Sequence, residues 1–246
     1  MMPLLIALQF LTVIPIQLKR MPTARENGLS VLYYPVVGAL IGGLLYGLAL
    51  LLLPVPDLLS AVLIMSLWVI LSGGLHLDGL ADTADAWVGG FADRQRTLEI
   101  MKDPRCGPIG VLSLVCVCLI KVAAVSLLLA QQQLWGLILF PILGRLAPLF
   151  LLISCDYVRA NGIGSSIAAS LPKLGVVVVL IMGFAISAFF GVLGWGSALI
   201  ALLLLMLLRL AFIRRLGGIT GDCIGASVEL VEVAALLSFV LLIFYL

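Results

Sequence analysis

The chain has 246 residues, of which 63% are hydrophobic and only 11% charged, with a net charge of +2. So few polar groups cannot cover the surface of a water-soluble globule, which excludes that class and predicts an integral membrane protein. Its apolar runs of about 20 residues are too long and too unbroken for the alternating strands of a β-barrel. The expected fold is therefore all-α, a polytopic integral membrane helical bundle forming a single membrane domain over residues 1–246.

In chain order, the first stretch, Met1 to Ile16, is short for a span and ends near Pro15. It has no basic n-region or small-residue cleavage site, so it does not read as a signal peptide. A re-entrant or interfacial helix is expected there, with a short tilted span as the alternative. About seven spans follow: Val31 to Leu53, Leu58 to Leu75, Ile109 to Ala130, Leu134 to Ile153, about Gly175 to Leu193, Ser197 to Ile213, and about Leu230 to Leu246. The fifth and sixth are split at the turn-like Gly194-Trp195-Gly196.

The basic residues alternate from one connection to the next. Lys19, Arg20 and Arg25 precede the first long span, Arg94, Arg96, Lys102 and Arg105 lie between the second and third, Arg159 and Lys173 between the fourth and fifth, and Arg214 and Arg215 between the sixth and seventh. The intervening connections, Pro54 to Asp57, Gln131 to Gln133 and the Gly-Trp-Gly turn, carry no Lys or Arg. This positive-inside pattern predicts a multi-pass protein of the cytoplasmic (inner) membrane, with the long loops inside and the C-terminus outside. The scattered basic residues lack aromatic interleaving and exclude a nucleic-acid partner. Five cysteines without a CxxC pair read as small apolar residues.

Residues 76–107 form the only extended hydrophilic stretch and are expected to be a cytoplasmic loop carrying the active site. It opens with Gly73-Gly74-Leu75-His76-Leu77-Asp78-Gly79-Leu80-Ala81-Asp82-Thr83-Ala84-Asp85, which holds the lone histidine. On a helix, Asp78, Asp82 and Asp85 stand at i, i+4 and i+7 and share one face. Three carboxylates on one stripe repel each other, and hard oxygen ligands at that spacing suit Mg²⁺ or Mn²⁺. Further on, Lys102-Asp103-Pro104-Arg105 precedes Gly107, Pro108 and Gly110. Two cations beside exposed amides at a helix start suit phosphate oxygens, with positive-inside anchoring as the bland alternative. Arg94 and Arg96 read as anchors.

Late in the chain, Gly217-Gly218-Ile219-Thr220-Gly221-Asp222-Cys223-Ile224-Gly225-Ala226 surrounds one aspartate with four glycines, and Glu229 and Glu232 follow. The glycines imply close backbone approach to a ligand or a helix. Asp222 and Glu229 read as functional, with complementing a helix dipole as the alternative; Glu232 stays open. Lys121, Arg145 and Arg209 fall within spans and must face the bundle interior or snorkel. Arg145, after Pro141 and Gly144, is the best candidate for an internal ligand.

These motifs, together with Phe10-Leu11-Thr12-Val13-Ile14-Pro15 and Glu99-Ile100-Met101 ahead of Lys102, resemble the cobalamin synthases, the adenosylcobinamide-GDP ribazoletransferase family, in the same order and nearly end to end. The resemblance implies a Mg²⁺-dependent membrane transferase. It would join adenosylcobinamide-GDP to α-ribazole or α-ribazole 5′-phosphate and release GMP, through attack of the ribose 3′-hydroxyl on the phosphorus bonded to the cobinamide aminopropanol. On that chemistry Asp78, Asp82, Asp85 and Glu229 are expected to hold Mg²⁺. Lys102, Arg105, Arg145 and Gly221 are expected to bind substrate phosphate, and His76 or Asp222 to take the hydroxyl proton. The lipid bilayer is a partner, and homo-oligomerisation is left open.

CDP-alcohol phosphotransferases share this chemistry, but their Asp-x-x-Asp-Gly opening is absent: Leu75 stands three before Asp78, and Ala86 follows Asp85. A prenyltransferase is disfavoured because its paired Asp-rich motifs are missing. A transporter of an ion or small anion is disfavoured because most charges lie at one face and no repeated broken helices are evident.

Overall fold

The structure is a computed structural model that describes residues 1–159 and 163–246. Among the described residues the chain forms α1 (Met2–Leu11), α2 (Ala24–Ser30), α3 (Tyr34–Leu51), α4 (Asp57–Ser72), α5 (Leu75–Gly89), α6 (Arg94–Ile100), α7 (Pro108–Ala130), α8 (Gly136–Ser154), α9 (Ile163–Ala169), α10 (Lys173–Ala185), α11 (Gly191–Leu216) and α12 (Gly221–Tyr245). Their only β pairing is an isolated parallel bridge between Tyr157 and Ile219. This is an all-α polytopic membrane protein.

Five helical segments are long and apolar enough to cross a membrane, and the bent pair α4–α5 makes a sixth. One of the five, Lys173–Leu216, runs for 44 residues. At 1.5 Å per residue that is roughly 66 Å, about twice the thickness of a hydrocarbon core. It is interrupted by a 3₁₀ turn at Ile186–Phe190 and by Gly191 at φ 62°, and a Cβ on Gly194 would strike the Ser187 carbonyl. The break separates α10 from α11, which together make one of the five to six candidate spans. The break falls just ahead of the Gly194-Trp195-Gly196 expected to split them, because those residues continue α11.

Local sequence explains where the elements start. Thr23 and Glu26 close a reciprocal capping box on α2, and Thr220 Oγ1 accepts from the Cys223 amide at the start of α12. Pro35 and Pro108 sit in the first turns of α3 and α7, where a missing N–H costs nothing. The ten residues of α1 reach only about 15 Å, too short to cross.

The core centres on α8, whose residues Leu137 to Leu149 are almost all buried. Gly38 and Gly42 bring α3 onto it so closely that a Cβ on Gly42 would lie 2.7 Å from the Ile138 Cα. Small residues spaced by four let membrane helices approach, and dispersion then holds them, since lipid gives no hydrophobic drive. On its other sides α8 packs against α10, α11 and α12, and α12 also contacts α5, α7 and α11.

Two expectations are corrected. Residues 76–107 are not a loop: they contain α5 and α6. The chain leaves α4 through Gly73 and Gly74, both left-handed (φ 61° and 70°), and α5 departs at 89° to α4. Only together do α4 and α5 have the length and apolar character of a candidate span. The last span starts at Gly221, not near Leu230. The acids Glu229 and Glu232 lie inside it because cations from other helices neutralise them.

Candidate active site

The aspartates on the acidic face of α5 meet different surroundings. Asp85 accepts hydrogen bonds from the Gly107 and Gly110 amides at 2.6 and 2.8 Å. Gly107 caps α7 and has no side chain to offer, so Asp85 supplies the acceptor from another helix, at the positive end of the α7 dipole. Both Asp85 oxygens are thus engaged by the start of α7, unlike those of the other two aspartates.

Asp78 and Asp82 remain available. Asp82 is half-buried, close to the charges of Asp78, Asp222 and Asp85, with Arg159 opposing them. Three carboxylates act on it against a single guanidinium. Such an excess calls for a cation.

Asp222, in the first turn of α12, faces this pair from across the site. Gly79 makes the approach possible: a Cβ there would lie 2.9 Å from the Asp222 carbonyl oxygen, and one on Gly225 would lie 3.4 Å from the His76 backbone. Arg159 pairs with Asp222 at 2.7 Å. It is held there by the short bridge in which the Val158 amide donates to the Ile219 carbonyl and the Ile219 amide to the Asp156 carbonyl, both at 2.9 Å. At the far end of α5, Arg215 donates to Thr97 and to the Trp87 carbonyl while lying over the Trp87 ring, and so ties α11 to α5 and α6.

Two cavities meet at Asp78 and Leu75. One, of about 280 Å³, also includes His76, Tyr157, Gly221 and Asp222. The other, a cleft of about 530 Å³, runs past Asp82 to Pro104 and Cys106. His76 is buried, and its Nδ1 has no hydrogen-bond partner among the described residues.

With that geometry in view, comparison with known proteins decides the family. Residues 3–240 match the family model described as cobalamin-5-phosphate synthase. The chain belongs to the cobalamin-5-phosphate synthase family. Its relatives in that family include proteins named adenosylcobinamide-GDP ribazoletransferase. That of an Acinetobacter baumannii strain is 50% identical over 246 residues, covering 100% of both chains. That of Stutzerimonas stutzeri is 51% identical over 241 residues, covering 98% of each. One from Pseudomonas fluorescens is 49% identical over 242 residues, covering 98% of this chain and all of the other. No solved structure matches the chain.

Within this family member, then, the structure brings together His76, Asp78, Asp82, Gly221 and Asp222 of the expected site residues. It takes four others elsewhere. Lys102 is exposed. Arg105 is also exposed and engages Asp103 through two hydrogen bonds at 2.9 and 2.7 Å, which hold the Asp103 carboxyl down to about 2. Glu229 and Arg145 are buried in an ion-pair quartet: Lys121 donates to Glu229 and Glu232 at 2.6 Å each, and Arg145 pairs with Glu232. The metal role expected of Glu229 and the phosphate role expected of Arg145 are corrected accordingly. Glu229 is 4% exposed with its Oε2 on the Lys121 ammonium, and Arg145 is 1% exposed, so neither side chain lines the cavities that hold the aspartates. Tyr157 and Arg159 were missed. Arg159 counted only as an inside-positive charge, and the bridge that aims it at Asp222 leaves no mark in composition or periodicity.

A divalent cation fits what remains. Among the described residues no three His, Cys, Asp or Glu side chains close around one metal-sized point. Mg²⁺ does not need such a cage: it commonly takes one or two carboxylates together with substrate phosphate oxygens and water. Asp78 and Asp82, mutually repelling and one turn apart, offer that half of a coordination sphere.

Proposed function

We propose that the protein is an adenosylcobinamide-GDP ribazoletransferase of the cytoplasmic membrane, with its site on the cytoplasmic side. It joins adenosylcobinamide-GDP to α-ribazole or its 5′-phosphate and releases GMP. The single observation that carries this reading is the placement of Asp78 in the wall of both cavities, with Asp82 on one side and Asp222 on the other. A transferase must hold two substrates so that an attacking oxygen and a phosphorus meet at one charged point. The positive-inside pattern supports the cytoplasmic orientation.

Asp78 and Asp82 would hold Mg²⁺, which supplies neutralisation of the diphosphate charge. The chain's own groups do the rest. Arg159 orients the Asp222 carboxylate and brings a guanidinium to the phosphate side of the site. Asp222 takes the proton of the ribose 3′-hydroxyl as its oxygen bonds to the phosphorus on the cobinamide arm. The bond from that phosphorus to the bridging oxygen breaks, and GMP leaves with the bridging oxygen and the other phosphate. Gly79 and Gly225 keep α5 and α12 close enough for Asp78 and Asp222 to serve the same pair of reactants.

The test is direct. Purified protein in detergent should release GMP only when adenosylcobinamide-GDP, α-ribazole and Mg²⁺ are all present. GMP release that is indifferent to α-ribazole would replace this reading with a hydrolase.

A further inference from the structure

The smaller cavity is built from distant parts of the chain. Phe10 comes from α1, Tyr34 from the start of α3, His76 from α5, Leu152 from the end of α8 and Tyr157 from the connection after it. Its volume of about 280 Å³ falls just below the range of roughly 300–1,000 Å³ typical of pockets for drug-sized ligands. A corrin macrocycle with its arms does not fit, nor does a whole guanosine diphosphate. A flat group of two fused rings does. The rings of Phe10 and Tyr34 lie stacked, with centroids 6.3 Å apart and planes 27° apart, and form one aromatic wall. Aromatic walls hold flat heterocycles by stacking without needing the full hydrogen-bond code of a base.

The polar groups gather at one end, where His76, Asp78 and Asp222 meet. His76 is 3% exposed, and its Nδ1 is both buried and unpartnered. A buried polar nitrogen without a partner costs free energy until something satisfies it. An acyl chain entering from the bilayer would leave the polar end formed by His76, Asp78 and Asp222 unmatched, whereas a nucleoside carrying its ribose hydroxyls there would not.

We propose that this cavity is the base pocket for the ribazole substrate. The two-ring benzimidazole lies among Phe10, Tyr34, Leu152 and Tyr157, its free ring nitrogen meets the His76 imidazole, and its ribose points to Asp78 and Asp222. This deepens the transferase reading and rests on it. The assignment leaves the larger cleft, past Asp82, Pro104 and Cys106, to the diphosphate of the corrinoid substrate. It also makes His76 a specificity residue rather than the proton acceptor.

Initial rates with the full chain in detergent test the pocket, each substrate being varied with the other saturating. For the wild type, replacing α-ribazole by the riboside of single-ring imidazole should raise the nucleoside KM at least about tenfold, since half the cavity loses its occupant. Leu152→Trp, which fills the cavity, should raise the KM for α-ribazole by a similar factor and leave that for adenosylcobinamide-GDP unchanged. The same variant should then prefer the imidazole riboside, an inversion that general damage to the fold does not produce. Equal wild-type KM values for the two ribosides would overturn the proposal. So would a Leu152→Trp variant whose loss falls on adenosylcobinamide-GDP or ignores base size. If the wild type releases no GMP from any pair, the transferase reading itself fails. Equilibrium binding of labelled α-ribazole to wild type and Leu152→Trp then judges the pocket alone: binding lost in the variant supports it, and equal binding overturns it.

Discussion

Helix α12 carries two groups of acids that meet opposite fates. At its first turn Asp222 stands with Asp78 and Asp82, partly open to cavities and answered by one guanidinium, Arg159. Two turns deeper, Glu229 and Glu232 are sealed among Lys121 and Arg145, two anions against two cations, with Lys121 also lying 4.4 Å from the centre of the Trp68 ring. Both groups are rarities in an apolar chain, and neither is tolerable in lipid without compensation. The difference is charge balance. The deep quartet balances its own charge, which makes it a lock between α7, α8 and α12. The shallow group is left with excess negative charge and open space, which makes it a place for a cation and a substrate. In a membrane protein the unbalanced, accessible cluster marks the chemistry, and the balanced, buried one marks the architecture.

The comparison breaks most forcefully at Lys121. Changing Lys121→Met should leave Glu229 without a cation and Glu232 with Arg145 alone, and lower stability by about 3–5 kcal/mol, read as an earlier thermal unfolding transition in detergent. Adding Glu229→Gln should recover much of that loss. An unchanged transition for the single variant would mean that the quartet locks nothing.

Asp82→Asn should do the reverse. The fold should survive, because the half-buried carboxylate is repelled by its neighbours more than held by them. GMP release should fall roughly 10²–10³-fold, the scale for losing one electrostatic stabiliser of a phosphoryl-type transition state. Near wild-type turnover at limiting Mg²⁺ would remove Asp82 from the metal site.

A smaller effect sharpens the boundary between the two kinds of acid. Asp85 shares the Asp82 face but caps α7, so Asp85→Ala should cost about 0.5–2 kcal/mol of stability, while the Mg²⁺ concentration for half-maximal rate stays put. A large shift in that Mg²⁺ midpoint would return Asp85 to the metal. The smallest effect is expected at Lys102→Gln and Arg105→Gln. Both side chains are exposed, and Arg105 is already spent on Asp103. Wild-type KM for adenosylcobinamide-GDP is expected, and a substantial rise in either variant would reinstate this segment as a phosphate clamp.

Much of this was legible in advance where the signal is local. The i, i+4, i+7 spacing of Asp78, Asp82 and Asp85 placed them on one helix, and they are on α5. Thr220 and the surrounding glycines marked a helix start, and α12 starts there. What the spacing did not reveal is that one of the three aspartates faces the amides of α7 and the other two face open cavities. That division depends on Gly107 and Gly110, more than 20 residues away in sequence. Similarly, hydropathy placed the last span too late. Windowed averages treat Asp222, Glu229 and Glu232 as solvent-seeking, although Lys121 and Arg145 neutralise the two glutamates inside the bundle.

The sequence by itself determined the membrane class, the all-α architecture, the alternation of its connections and the identity of the acidic motif. Each follows from composition or short-range periodicity, because hydrogen bonding within a helix and partition into lipid are properties of a segment. Only the tertiary structure decided which charge meets which. Arg159 reaches Asp222 through a two-residue bridge, Asp85 reaches α7, Lys121 and Arg145 neutralise Glu232, and Phe10, Tyr34 and His76 wall a common cavity. In a low-dielectric interior an ionic group is defined by its partner, and partners drawn from different helices are chosen by packing, not by neighbours in the chain.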